Sequence, residues 1–244
     1  MGGPAAALGW MTVLLLAFDT ATPAVTVALH DGSRVIAEES AVDARRHGEL
    51  LAIAITEVLR SASAGRADLT HVAVGTGPGP YTGLRAGLVT ATVLASALDI
   101  PADGICSLDV IAAAAAADGD FLVATDARRR EVYWARYDRN GGRRDGPRVG
   151  KPAELPAGLP VAGEGAVLYP ELGFTPLRPR FPSAGQLAAL AVARVQAGQP
   201  PEPPEPLYLR RPDAREPGPP KRVTEPAPAR RRQPDDASRT GPRP

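Results

Sequence analysis

Between Val74 and Gly87 the chain reads VGTGPGPYTGLRAG, fourteen positions holding five glycines and two prolines. The run HVAVGTG predicts a buried strand that ends in this segment. The residues after it predict a helix with Thr82 as N-cap, running to about Leu98 and stopped by Ile100-Pro101. Strand, glycine turn and helix in that order point to an α/β chain. The turn makes a poor phosphate cradle. A Walker loop ends in lysine and a hydroxyl residue, where this segment has GPYTGL. A dinucleotide fingerprint needs glycine where Thr82 stands. Pro78 and Pro80 remove two backbone N–H donors from the middle of the loop. What remains for an anion is the helix N-terminus, a weak general site.

The glycines find a different use one turn on. Gly83, Gly87, Ala91 and Ala95 recur every four residues and form one ridge of small side chains along the helix. Glycine inside a helix costs about 1 kcal/mol relative to alanine, so close packing has to offset it. Two readings fit: the ridge lies on the protein's own sheet, or it faces another helix, in this chain or in a partner. The preceding segment, Asp43 to Ala62, predicts a helix whose apolar residues Leu50, Leu51, Ala54, Ile55, Val58 and Leu59 cover about half its circumference, with Ile53 outside that arc. So wide an arc suits either two buried faces, one on the core and one at an interface, or a helix sunk deep in its own domain.

The rest of the chain alternates strands and helices. TVLLLAFDT and AVTVALHDG predict two strands joined by a short turn at Asp19 to Pro23, with RVIAEESA as a third. Ser107 is a candidate cap for an alanine-rich helix ending near Gly119. FLVATDA and EVYWARYD predict a second strand pair joined by the polar loop RRR, and Gly141-Gly142 turns the chain again. Ser183 followed by Gln186 forms a capping box for a last helix that ends at Gly198. The chain thus divides into residues 1–11 (an N-terminal extension ahead of Met11), 12–106 (a first lobe), 107–215 (a second lobe) and 216–244 (a tail). The tail holds eight prolines and a single large apolar residue, Val223, and is expected to stay disordered.

Composition excludes several function classes. One cysteine, Cys106, rules out an internal disulfide and suits a reducing, cytoplasmic setting. No apolar run is long enough to cross a bilayer, and the N-terminus lacks the basic residues of a secretory signal. From Glu216 onward there are seven Lys/Arg against four Asp/Glu; the remainder is slightly acidic. Such a body makes a poor stand-alone nucleic-acid binder, so RNA work would need a partner or the tail. Only His30, His47 and His71 occur, with neither a His-Glu-x-x-His motif nor a Ser/His/Asp set in view, and Cys106 reads as a buried inert thiol.

LLAFDTATPAVTVAL, RRHGELL, VAVGTGPGPYTGLRAGL, IPADGICSLDVIA, DARRREVYWARY and PLYLR occur in that order from Val13 to about Arg211. Together they resemble the TsaB (YeaZ) family, bacterial subunits of the machinery for threonylcarbamoyladenosine in tRNA. The resemblance implies an actin/Hsp70-like (ASKHA) fold of two lobes with mixed sheets flanked by helices. In that superfamily an Asp-x-Gly-x-Thr-like turn after the first strand holds ATP phosphates. Here DTAT (Asp19 to Thr22) has Ala21 in the glycine position, and the second lobe's DARR (Asp126 to Arg129) also lacks its glycine. Degraded or lost nucleotide binding follows, with no cofactor expected. The catalytic paralogue TsaD holds metal through a His-x-x-x-His pair; neither Asp43 nor Leu51 supplies a second histidine around His47, so no metal site and no catalytic residue are expected.

The resemblance further implies a non-catalytic, cytoplasmic subunit that pairs with TsaD. The pair recruits the ATPase TsaE, meets tRNA through the complex, and supports threonylcarbamoyl transfer from its adenylate to the adenosine beside the anticodon. The first two long helices would form the pairing surface as half of a four-helix bundle, through Leu50, Leu51, Ala54 and Val58 on one and Gly83, Gly87 and Ala91 on the other, with His47 and Arg85 at the rim. Without TsaD the same surface would pair two copies as a homodimer. The alternative is a small-molecule kinase or ATPase of the same superfamily, which predicts measurable ATP affinity in the isolated chain.

Overall fold

The computed structural model describes residues 13–210; the expectations for residues 1–11 and for the tail from 216 lie outside them. Three antiparallel strands come first: β1 (Leu15–Asp19), β2 (Ala24–His30) and β3 (Val35–Val42). Helix α1 (His47–Ser61) leads to β4 (His71–Gly75), which returns parallel to β1. Helix α2 (Tyr81–Leu98) then leads to β5 (Ala102–Ile105), parallel to β4. The first sheet therefore has the order β3-β2-β1-β4-β5.

The second half repeats this pattern. After α3 (Ser107–Ala113), β6 (Phe121–Asp126), β7 (Val132–Tyr137) and β8 (Arg143–Gly150) form an antiparallel meander. The two-residue strands β9 (Val161–Ala162) and β10 (Pro176–Leu177) add in parallel beside β6, with the short helix α4 (Gly165–Leu168) between them. The order β10-β9-β6-β7-β8 mirrors the first sheet, so β6 is the counterpart of β1. Two mixed sheets of matching topology flanked by helices are the actin-like architecture expected.

Burial explains the strand composition. β1 and β2 are buried along their whole length because both faces of the first sheet are covered, which is why they read as nearly unbroken apolar runs. Leu16 and Phe18 pack with Leu51, Val58 and Leu84 on the side of α1 and α2. Leu15 and Ala17 pack on the other side with Leu187, Ala188 and Ala191 of α5 (Ala184–Gln196). The last helix among the described residues thus lies on the first sheet. Edge strand β3 is mostly exposed and carries Glu38 and Glu39, charges that discourage further strand pairing.

Several local expectations shift. α1 begins at His47 rather than Asp43; the Asp43 carboxylate instead accepts the Arg45 N–H at 2.9 Å, holding the chain in a turn. Thr82 does not cap α2: Pro80, extended at φ −58 and ψ 134, is the boundary residue and the helix starts at Tyr81. Ser107 is the first residue of α3, whose N-cap is Cys106, and α3 ends at Ala113, short of Gly119. Ser183 does cap α5, accepting the Gln186 N–H at 3.2 Å. Glu38 of β3 completes the cap, taking the Ser183 hydroxyl at 2.9 Å and the Gly185 N–H at 3.0 Å.

Candidate functional site

The turn between β1 and β2 is where the glycine segment does its work. A Cβ on Gly75 would stand 1.8 Å from the Asp19 carboxylate, one on Gly79 2.1 Å from the Ala21 carbonyl oxygen, and one on Gly83 2.6 Å from that of Thr20. On Gly87 it would lie 2.5 Å from Thr20 Oγ1. All four are closer than any real Cβ contact. Glycines at four-residue intervals thus form a trough into which residues 19–21 settle. Hydrogen bonds lock the fit: Thr20 Oγ1 donates to the Gly83 carbonyl at 2.8 Å and accepts the Gly87 N–H at 3.1 Å.

The same turn consumes its own donors. Ala21 N–H donates to Asp19 Oδ1 at 2.7 Å, and Ser107 Oγ donates to Asp19 Oδ2 while accepting the Gly77 N–H at 3.1 Å. Asp19 is fully buried, and desolvation raises its pKa above the ordinary carboxylate value, against the lowering pull of the Ser107 and Ala21 hydrogen bonds and of the His47 charge. The turn after β6 copies the device: Arg128 N–H donates to Asp126 Oδ1, also at 2.7 Å. An N–H engaged by its own aspartate is not offered to a phosphate. Beside the first turn a pocket of about 160 Å³ opens between Thr20, Thr22, His47, Thr82, Gly83 and Arg128.

The residues expected at a pairing surface separate into two groups. Leu51, Val58 and Ala91 are core residues, 1% exposed or less, and Gly83 and Gly87 are buried against the Thr20 turn. The small-residue ridge therefore serves its own lobe. Gly83 meets the Thr20 carbonyl and the His47 ring of α1, and Gly87 meets Thr20 Oγ1 and Val74 of β4, so the ridge packs on the β1–β2 turn, on the sheet and on a helix of this same chain. His47 is half-buried with Nε2 2.9 Å from the Thr22 carbonyl oxygen. Leu50 and Ala54 are half-buried and Arg85 is exposed.

The opposite faces of α1 and α2 carry what sequence reasoning missed. Ile53 is 51% exposed, Val89 54% and Val93 62%. Tyr81, Arg85, Val89 and Val93 are themselves spaced by four and line the side of α2 away from the ridge. Two β-branched apolar residues one turn apart outside the glycine row were the available signal, as was Ile53 outside the α1 arc.

Among the described residues no group of three His, Cys, Asp or Glu side chains is placed to hold a metal ion. His30 ends β2 with Nδ1 accepting the Gly32 N–H, and His71 opens β4, so the imidazoles stand on separate elements. Burial and the neighbouring Asp109 push the Cys106 thiol up to about 12, which leaves it protonated and unreactive. No helix of the described residues is long and apolar enough to cross a membrane.

Known proteins match this arrangement. Residues 34–178 fit the family model described as TsaD, tRNA N6-adenosine threonylcarbamoyltransferase. The chain is 47% identical over 205 residues to an uncharacterized protein of Mycobacterium tuberculosis, covering 82% of this chain and 93% of that one. It is 35% identical over 129 residues to the tRNA threonylcarbamoyladenosine biosynthesis protein TsaB of Escherichia coli, a match spanning about half of each chain (52% and 55%). The solved structure of YeaZ from Pseudomonas aeruginosa superposes with a TM-score of 0.66 at 28% identity, over 81% of this chain and 100% of that one. The family model covers more than half of the sequence, so the chain belongs to the family that model describes, TsaD, and the named relatives it resembles within that family, TsaB and YeaZ, support the TsaB (YeaZ) family.

Proposed function

We propose that this chain is a non-catalytic subunit of the tRNA threonylcarbamoyladenosine machinery that pairs with TsaD through the outer faces of α1 and α2. Membership of the TsaB family supports the pathway. The observation that carries the pairing is the apolar outer face formed by Ile53, Val89 and Val93, with half-buried Leu50 and Ala54 beside them. Exposed β-branched side chains on two neighbouring helices suit burial against a second helix pair, because each, still about half exposed, would contribute on the order of 1 kcal/mol when the rest is removed from water. TsaD would supply the metal and the reacting groups, with TsaE recruited to the pair and tRNA met through the complex. The same face would join two copies of this chain when TsaD is absent.

The filled turn supports the non-catalytic half of the reading. With Ala21 N–H bound to Asp19 and the glycine trough closed over residues 19–21, a nucleotide phosphate finds few free donors there. Co-expression with TsaD followed by gel filtration, alongside calorimetric titration with Mg-ATP, tests both halves. A stable heterodimer and no measurable ATP binding by the isolated chain are expected. A chain that ignores TsaD and binds ATP tightly is instead the kinase or ATPase alternative.

A further inference from the structure

We propose that a strip of aromatic and basic side chains, running from Arg85 and Tyr81 across Tyr208 and Arg128–Arg130 to Lys151 and Tyr169, binds single-stranded RNA. That the RNA is a tRNA anticodon arm rests on the function proposed above; that the strip binds RNA does not.

At one end Tyr208 stacks on Tyr81 with ring centroids 5.7 Å apart and planes inclined at 24°, and the Arg85 guanidinium lies 4.9 Å from the Tyr81 centroid. Both tyrosines are about half exposed, at 58% for Tyr81 and 49% for Tyr208. Open aromatic and guanidinium surface of this kind accepts nucleobases without regard to sequence. Arg128 adjoins it, sharing the small pocket with Pro80 and Thr82 on either side of Tyr81.

Arg128, Arg129 and Arg130 follow with φ of 61°, 56° and 60°, three consecutive L-residues in the left-handed region. That backbone favours glycine or asparagine, so three arginines there are a local conflict of the kind that collects at functional sites. The loop is held rather than loose. Ala127 N–H donates to the Glu131 carbonyl at 3.0 Å, Glu131 N–H to that of Arg128 at 3.0 Å, and Arg210 bonds both the Ala127 carbonyl and the Glu131 carboxylate. All three arginine side chains are exposed.

Beyond the loop a groove of about 370 Å³ is lined by Arg129, Arg130, Lys151 and Tyr169, with Glu131 and Glu171 as its acids. Glu131 is engaged by Arg210 and Asp126 by Arg128, so the strip stays positive although the body as a whole is slightly acidic. Guanidinium forks suit phosphate oxygens, and the stacked tyrosines at one end and the half-buried Tyr169 ring at the other offer aromatic surface for bases. The strip begins beside the outer face of α2, so an RNA lying on it would pass along a protein docked there.

The full-length chain is titrated against a fluorescein-labelled oligouridine of about 15 nucleotides, a length that suits such surfaces, and against an anticodon stem–loop RNA. Fluorescence anisotropy is followed at two salt concentrations. Binding that weakens with salt is expected, with Arg130→Glu/Lys151→Glu roughly tenfold weaker and Tyr81→Ala also weaker. Arg60→Glu, at the far end of α1, should bind as the native chain does. Circular dichroism checks that each variant is folded. Competition by polyaspartate as effective as by RNA would make the strip an acidic-protein site and overturn the proposal. So would absent RNA binding, or the double variant binding as tightly as the native chain. Pull-down of TsaD by the double variant is expected to persist, so loss of RNA binding and loss of pairing are read separately.

Discussion

The Ala21 carbonyl oxygen lies 2.1 Å from the position a Cβ on Gly79 would take, with backbone on both sides of the contact. Neither partner can swing away, so Gly79→Ala has to push the β1–β2 turn or the glycine segment apart. Overpacking of this kind costs about 2 kcal/mol, or a fall of roughly 4–8 °C in melting temperature for a chain of this size. Gly48, in the first turn of α1, is the contrast: a Cβ there meets nothing within 4 Å. Gly48→Ala should therefore stabilise by about 0.5 kcal/mol through the chain entropy it removes. Thermal denaturation of the two variants reads the opposite signs; equal effects would contradict the trough.

Gly83→Leu and Gly87→Leu belong with Gly79. Both positions face Thr20, so either change should unsettle the lobe itself, visible as lowered stability of the isolated chain before any partner is added.

Outer-face substitutions should do the reverse. Ile53→Glu combined with Val93→Glu places charge on exposed positions and should change stability by no more than about 0.5 kcal/mol per site. A buried unpaired carboxylate at an interface costs far more, so pairing with TsaD should be lost. Co-purification of TsaD with this double variant would move the interface elsewhere.

Much of this architecture was legible in the sequence, and the reasons are specific. Doubly covered strands leave unbroken apolar runs, so LLAFD and AVTVALH announced β1 and β2, and Ser183 marked the start of α5. The direction of the glycine row was not legible. A ridge of small residues says that something comes close, and the approaching group is Thr20, more than sixty positions earlier in the chain. Pro80 likewise displaced Thr82 as the helix boundary because an extended proline sets the entry on its own. The stack of Tyr208 on Tyr81 and the left-handed arginines depend on tertiary geometry that no local pattern encodes.

Asp19 should leave a signature in the pH dependence of stability. Its carboxyl binds a proton more tightly in the folded chain than the ordinary value of 3.8 allows. Its contribution is therefore complete below that pH and is lost as pH rises through the higher folded value. Asp19→Asn keeps an acceptor for the Ala21 N–H and cannot ionise. Urea unfolding from about pH 4 to 7 should show native stability declining relative to the variant; parallel curves would contradict a raised Asp19.

Cys106 should be silent to thiol reagents in the folded chain. With its pKa pushed up to about 12, the native thiol should react with a disulfide reagent at least about a hundredfold more slowly than in denaturant. Comparable rates would mean that the site opens.

Hydrogen exchange of the full-length chain with and without TsaD tests the pairing surface most directly. Added protection is expected in peptides covering 47–61 and 81–98, the two helices whose outer faces carry Ile53, Val89 and Val93. Protection confined to the second lobe, or none at all despite a stable complex, would contradict it.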